Sequence, residues 1–226
     1  MKHYKIIYNK ERLLSFIESL PDLEENEKFY CSLFARKKYS PELVKSNDRT
    51  QLKRFLTTKD RLYTKLTQLE LPYGTWKIRD IVAPQESLVA YIHPNPRCMK
   101  KATFLLMKKC ISLLETSAKG YNLQAESLSA VQQSVSRRIY VDFDIDEEPS
   151  TNLREFLLDL FEDNNCFRIL VTRGGYHVLI EPKKISPTVK DNWYKIIKDQ
   201  FKIDNVGDQM IPIPGCTQGG FVPKFI

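Results

Sequence analysis

Apolar positions recur with two different periods along this chain, and the change of period divides it. From Lys10 to Leu20 the apolar residues stand at 13, 14, 16, 17 and 20, which predicts an amphipathic helix stopped by Pro21. Phe29 to Phe34 predicts a strand, followed by the basic cluster Arg36-Lys37-Lys38. Residues 40–48 read as a loop, and the basic stretch Gln51 to Leu69 as broadly helical. Pro72-Tyr73-Gly74 marks a turn, and Ser87 to Ile92 a strand broken by His93-Pro94-Asn95-Pro96-Arg97. Two further helices are expected. One runs from Lys100 to Glu115, with Phe104, Met107, Ile111 and Leu114 on one stripe and Lys101 and Lys108 on another face. The second covers Leu123 to Ser136.

Beyond residue 137 the order becomes β-α-β-β-α-β. A strand at 138–146 is followed by a helix at about 150–162. A hairpin, Phe167 to Arg173 and Tyr176 to Glu181, turns at Gly174-Gly175. A helix from Pro187 to Phe201 leads to short closing strands at Met210–Ile213 and Phe221–Phe225. This order predicts a four-stranded antiparallel sheet with two helices on one face, the other face being free for a site. The fold class expected is α/β (α+β), with an RRM-like core at 137–226 behind a basic α/β module at 1–136.

The strand at 138–146 holds the strongest chemical signal. In Tyr140-Val141-Asp142-Phe143-Asp144-Ile145-Asp146 the three carboxylates alternate with apolar residues, so they share one face of a strand. A half-exposed strand can carry a polar face, but Asp is depleted in strands. Adjacent carboxylates repel unless a cation lies between them, and hard oxygen donors suit Mg²⁺ or Mn²⁺. Two-metal catalysis on phosphate is the simplest use of such a site.

The hairpin supplies candidate anion ligands. Gly174-Gly175 can take positive φ and expose N–H groups, His177 follows within the strand, and Arg173 could clamp a phosphate oxygen. Asp208 could complete the metal site, with Asp204 as its competitor; Lys224 alone says little.

Composition narrows the context. The 226 residues are 42% apolar and 28% charged, with no run long enough for a membrane helix and too charged an N-terminus for a signal peptide. Five scattered cysteines without a C-x-x-C pair suit a reducing compartment, cytoplasmic or nuclear rather than secreted. With only three histidines, no zinc site is expected. The net charge of +7 is uneven: residues 1–138 carry +11 and residues 139–226 carry −4. A basic half beside an acidic half suits a polyanion held against bound metals. Arg36, Lys37 and Arg97, each just past a predicted strand, and the helix residue Lys101 are the candidate nucleic-acid contacts.

The set Ile139-Tyr-Val-Asp142-Phe-Asp144, Thr172-Arg-Gly-Gly-Tyr-His177, then Asp208 before Pro214-Gly215 and Lys224, resembles the archaeo-eukaryotic primase superfamily. That superfamily includes the primase small subunit and PrimPol-type primase-polymerases. The pieces Phe34-Ala-Arg36-Lys-Lys38-Tyr and Asn95-Pro-Arg97 look like those of its phage and mobile-element members. The resemblance implies Asp142, Asp144 and Asp208 as catalytic ligands of two Mg²⁺ or Mn²⁺ ions. It implies Arg173, Gly175, His177 and Lys224 as the nucleotide site. The implied activity is DNA primase or primase-polymerase nucleotidyl transfer from NTP or dNTP on single-stranded DNA, with a helicase or accessory primase subunit as a candidate partner and no membrane. The chain departs from the pattern at Gly175, where Ser is often found, and at Pro212-Ile213, where an Arg is often found; the zinc module of primase small subunits is missing. A non-catalytic RRM-like single-strand-binding protein is the alternative, and a metal-dependent nuclease a further one.

Overall fold

A computed structural model describes residues 2–41, 49–116, 122–146, 152–189 and 191–226. The chain begins with helix α1 (Lys10–Ser19), whose N-terminus is capped by the Asn9 side chain accepting from Arg12 N. Strand β1 (Glu27–Arg36) runs into a 3-10 turn, Lys37–Tyr39. The next described elements are β2 (Arg49–Thr57) and a short α2 (Leu62–Thr67). Only this last piece of the expected 51–69 helix is helical. Residues 49–57 instead pair antiparallel with Phe29–Arg36 of β1, so tertiary pairing overrides the local pattern. Most of the loop expected at 40–48 lies outside the described residues.

A small ribbon, β3 (Lys77–Ile78) with β4 (Ile81–Val82), precedes β5 (Leu88–Ile92) and β6 (Arg97–Cys98). Helices α3 (Met99–Thr116) and α4 (Leu123–Gln133) form a hairpin. The second half contains β7 (Val141–Ile145), α5 (Asn152–Phe161), β8 (Phe167–Thr172), β9 (Gly175–Ile180), α6 (Trp193–Gln200), β10 (Ile203–Gly207), β11 (Ile211–Pro212) and β12 (Lys224–Phe225). Among the described residues no helix is long and apolar enough to cross a membrane.

Two five-stranded antiparallel sheets result. The first has the order β11-β5-β1-β2, with β6 also on β1; the second has the order β10-β7-β9-β8-β12. The β10-β7-β9-β8 part is the expected split arrangement. Two expectations change. The strand closing it is Ile203–Gly207, which takes the free edge of β7. Ile211–Pro212 therefore pairs with β5 in the first sheet, and Cys216 and Gln218 bridge to Ile7 and Val89 there. The chain thus returns to its own first half before β12 rejoins the second sheet on β8.

The second sheet is covered on both faces. Phe143, Ile145, Ile169, Val178 and Ile180 pack with Leu153, Leu157, Phe161, Trp193 and Ile197 from α5 and α6. Tyr140, Leu170 and Leu179, on the face that also carries Asp142 and His177, join the core of the first half with Phe29, Leu33, Leu88 and Ile92. The face expected to be free is therefore largely buried. What stays open is a cleft at the acidic end of β7, walled by both sheets.

Candidate active site

The register sets the site. Asp144 lies directly opposite His177, and Asp142 is two residues away on the same face. Asp142 is buried, and its Oδ2 lies 2.8 Å from His177 Nδ1. Its Oδ1 is buried without a hydrogen-bond partner. Asp144 Oδ1 is 3.7 Å from His177 Nε2, and Asp144 opens to the cleft. Burial pushes the Asp142 carboxyl up, against the pull of His177. Burial alone would lower the His177 imidazole, but the Asp142 carboxylate beside it overrides this and raises it.

Asp208 follows β10 and faces the same cleft, where Asp204 and Asp146 also lie. It is not a free carboxylate. Arg97 Nη1 sits 2.7 Å from its Oδ2, and Asn95 Nδ2 donates to its Oδ1 at 2.9 Å. Asn95 also accepts from Ile139 N and Tyr140 N and donates to Tyr140 O, so one side chain ties Asp208 to the residues leading into β7. His93 Nδ1 is 3.8 Å from Asp208, and burial, aided by the Arg97 charge, depresses its pKa to about 3. Among the described residues no three His, Cys, Asp or Glu side chains close into a metal cage. Asp144 opens to the cleft beside the buried Asp142, and Asp208 is drawn to Arg97.

The cleft encloses about 300 Å³. It is lined by the carboxylates Asp144, Asp146, Asp204 and Asp208 and by Arg36, Lys38 and the turn residue Gly174. Arg36 Nη1 donates to the Tyr91 hydroxyl at 2.7 Å. Lys38 Nζ comes so near Gly174 that an added Cβ would be in ordinary contact with it, at 3.7 Å. Gly175 is buried with φ 143°, a conformation that favours glycine where Ser is often found in the resembling family.

No family model, curated protein or solved structure matches the chain.

The fold therefore gathers Asp142, Asp144, Asp208, His177 and the Gly174-Gly175 turn, and it relocates other expected residues. Arg97 has no solvent exposure and cannot reach a nucleic-acid phosphate; it serves Asp208. Arg36 is buried at the cleft wall rather than on an outer surface. Arg173 turns away from the cleft: its guanidinium lies over the Tyr39 ring at 4.5 Å and donates to Gly219 O, while its N–H donates to Gln218 at 2.8 Å. Lys224 is exposed on β12, three strands from β7 and so about 14 Å away by strand spacing. Lys37 is exposed on the 3-10 turn, and Lys101 is exposed with Nζ on Val135 O. Among the cleft-lining residues not singled out are Lys38, His93 and Gln218, and behind the cleft Asn95, which holds Asp208. Lys38 belongs to the basic cluster after the first strand, and Lys38 and Asn95 both belong to the two N-terminal pieces of the resemblance.

Proposed function

We propose that this protein is a template-dependent nucleotidyltransferase of the primase or primase-polymerase kind. The observation that carries this reading is a cleft sized for a nucleotide that is lined both by Asp144 and by the basic residues Arg36 and Lys38, with the buried Asp142 beside Asp144 on the same strand face. The unpartnered, buried Asp142 Oδ1 beside the open Asp144 carboxylate is a hard-oxygen donor pair suited to Mg²⁺ or Mn²⁺. Asp142 and Asp144 would hold the ion, and Asp208 would join them on release from Arg97. Bound there, a divalent cation supplies charge neutralisation at the reacting phosphate and a lowered pKa for the attacking hydroxyl.

The chain's own groups do the rest. His177, held in orientation by Asp142 at Nδ1, presents Nε2 to the cleft as a phosphate ligand. Arg36 and Lys38, which line the same cleft, would neutralise the remaining triphosphate charge. No protein nucleophile is needed, because positioning and charge stabilisation carry phosphoryl-type transfer. Template would run over exposed lysines of the basic half, bound chiefly through phosphates.

A single-strand-binding protein of RRM type stacks bases on open sheet aromatics. Phe143 and Tyr176 both lie in the helix-covered core, so neither offers such a platform. The test is incubation of the chain with single-stranded DNA, Mn²⁺ or Mg²⁺ and labelled NTP or dNTP, with and without primer. Incorporation that is lost in Asp144→Asn is expected. DNA binding with no incorporation under any of these conditions would overturn the reading.

A further inference from the structure

Asp208 has both carboxylate oxygens engaged by the segment between β5 and β6. Asn95 Nδ2 donates to Oδ1 at 2.9 Å, and Arg97 Nη1 lies 2.7 Å from Oδ2. That segment is fixed along its length. His93 N donates to Tyr30 O, Ser136 N to Pro96 O, Cys98 N to Ser134 O and Met99 N to Asn26 O. The Asn95 side chain is fully engaged as well, with Ile139 N, Tyr140 N and Tyr140 O. Arg97 has no solvent exposure, and its Nε and Nη2 are buried without a hydrogen-bond partner. Among the described residues Asp208 is the one carboxylate paired with it. An enclosed guanidinium holds its counter-charge strongly, because losing it leaves a buried charge unpaired.

Asp208 itself sits where the chain can turn. It begins the three residues that join β10 to β11. It follows Gly207, which lies opposite Asp142 in the sheet, takes φ 130° and would place an added Cβ in open space. The holder is therefore rigid and the held carboxylate stands beside a hinge, next to the Asp142–Asp144 strand. Affinity for a hard cation rises with the number of charged oxygen ligands, so it matters which of the two partners Asp208 has. We infer that Arg97 is an internal lock on Asp208: it stands in for a divalent cation at that carboxylate, so that the resting cleft binds the cation through Asp142 and Asp144 alone and only weakly. The inference rests on the metal reading given above for Asp142 and Asp144.

The test is Mn²⁺ titration of the whole chain, followed by electron paramagnetic resonance without nucleotide or DNA. Arg97→Gln frees the Asp208 carboxylate and is expected to bind Mn²⁺ at least about tenfold more tightly than the parent, which corresponds to about 1.4 kcal/mol. The double variant Arg97→Gln with Asp208→Asn removes both charges and leaves neither unpaired, so it should fold and bind Mn²⁺ as the parent does. In the parent, the Nε–H nuclear magnetic resonance signal of Arg97 should keep its position and its slow hydrogen exchange when Mg²⁺ saturates the site. Should Arg97→Gln melt before it can be titrated, the double variant and the parent's Arg97 signal decide. Three results would overturn the lock: parent-like affinity in Arg97→Gln, an affinity loss in the double variant as large as in Asp144→Asn, or an Arg97 signal that Mg²⁺ alone displaces. No cation binding by the parent at all would sink the metal reading and the lock together.

Discussion

Asp142 and Asp144 are two residues apart on one face, yet they stand in different environments. Asp144 opens to the cleft and is about a third exposed, so its loss disturbs little packing. Asp144→Asn is expected to change stability by less than about 0.5 kcal/mol while removing divalent-cation binding. Asp142 anchors the buried His177, and its removal strips a buried imidazole of its partner. Asp142→Ala should therefore lose cation binding and also about 1–3 kcal/mol of stability. Mn²⁺ titration beside thermal melting separates the two; cation binding by Asp144→Asn equal to the parent would sink the metal assignment. From the alternating pattern alone the two acids looked equivalent, because strand periodicity assigns a face and not a depth.

Between elements, the lead-in to β7 is tied to the start of β1 by an ion pair. Arg137 donates from Nε and Nη2 to the two carboxylate oxygens of Glu27, at 2.9 and 2.7 Å. Glu27 is buried, and the Arg137 hydrogen bonds hold its pKa down at about 2. A depressed carboxyl pKa adds stability at pH values above its ordinary 4.5, and that stability fades as pH falls towards about 2. Arg137→Ala should cost about 2 kcal/mol near neutral pH. This is less than breaking a fully enclosed pair, because the guanidinium keeps solvent contact. The variant should also lose much of the acid-side slope below pH 4.5. Denaturant unfolding of both proteins from pH 7 to pH 2.5 measures this, and parallel curves would contradict the role given to Glu27.

Across the whole molecule, the two sheets meet where the Asn95-Pro96-Arg97 segment reaches Asp208. Arg97 is fully buried, so Asp208→Asn strands its charge and should cost about 3–5 kcal/mol, unlike the mild Asp144→Asn. Asn95→Ala should be similarly damaging, since it leaves Asp208 Oδ1 and the N–H groups of Ile139 and Tyr140 without their partner. Equal melting temperatures for the Asp144 and Asp208 variants would contradict this linkage. In the proposed reading, template binding falls to a different surface. Glutamate at Lys37 and Lys101, both exposed, should weaken single-stranded DNA binding and flatten its salt dependence. Anisotropy titrations at several salt concentrations decide it, and an unchanged slope would move the template elsewhere.

What the sequence alone determined is local. Alternation over 138–146 marked the acid-bearing strand, Gly174-Gly175 its neighbouring turn, and the order of elements after 137 the split sheet. These follow from side-chain periodicity and turn chemistry within a few residues; the structure retains the first two, and the split sheet with Ile203–Gly207 in place of Met210–Ile213 as its closing strand. Tertiary structure alone decided the rest. The basic stretch at 49–57 became a strand because β1 offered it a continuous partner. Residues 211–218 crossed to the first sheet because β10 already held the edge of β7. Arg97 became an internal counter-charge and Lys38 a cleft residue, because each role depends on a partner more than a hundred residues away. Periodicity placed the apolar stripe on α3 but could not say whether anything covers it, since burial is a property of neighbours and not of spacing.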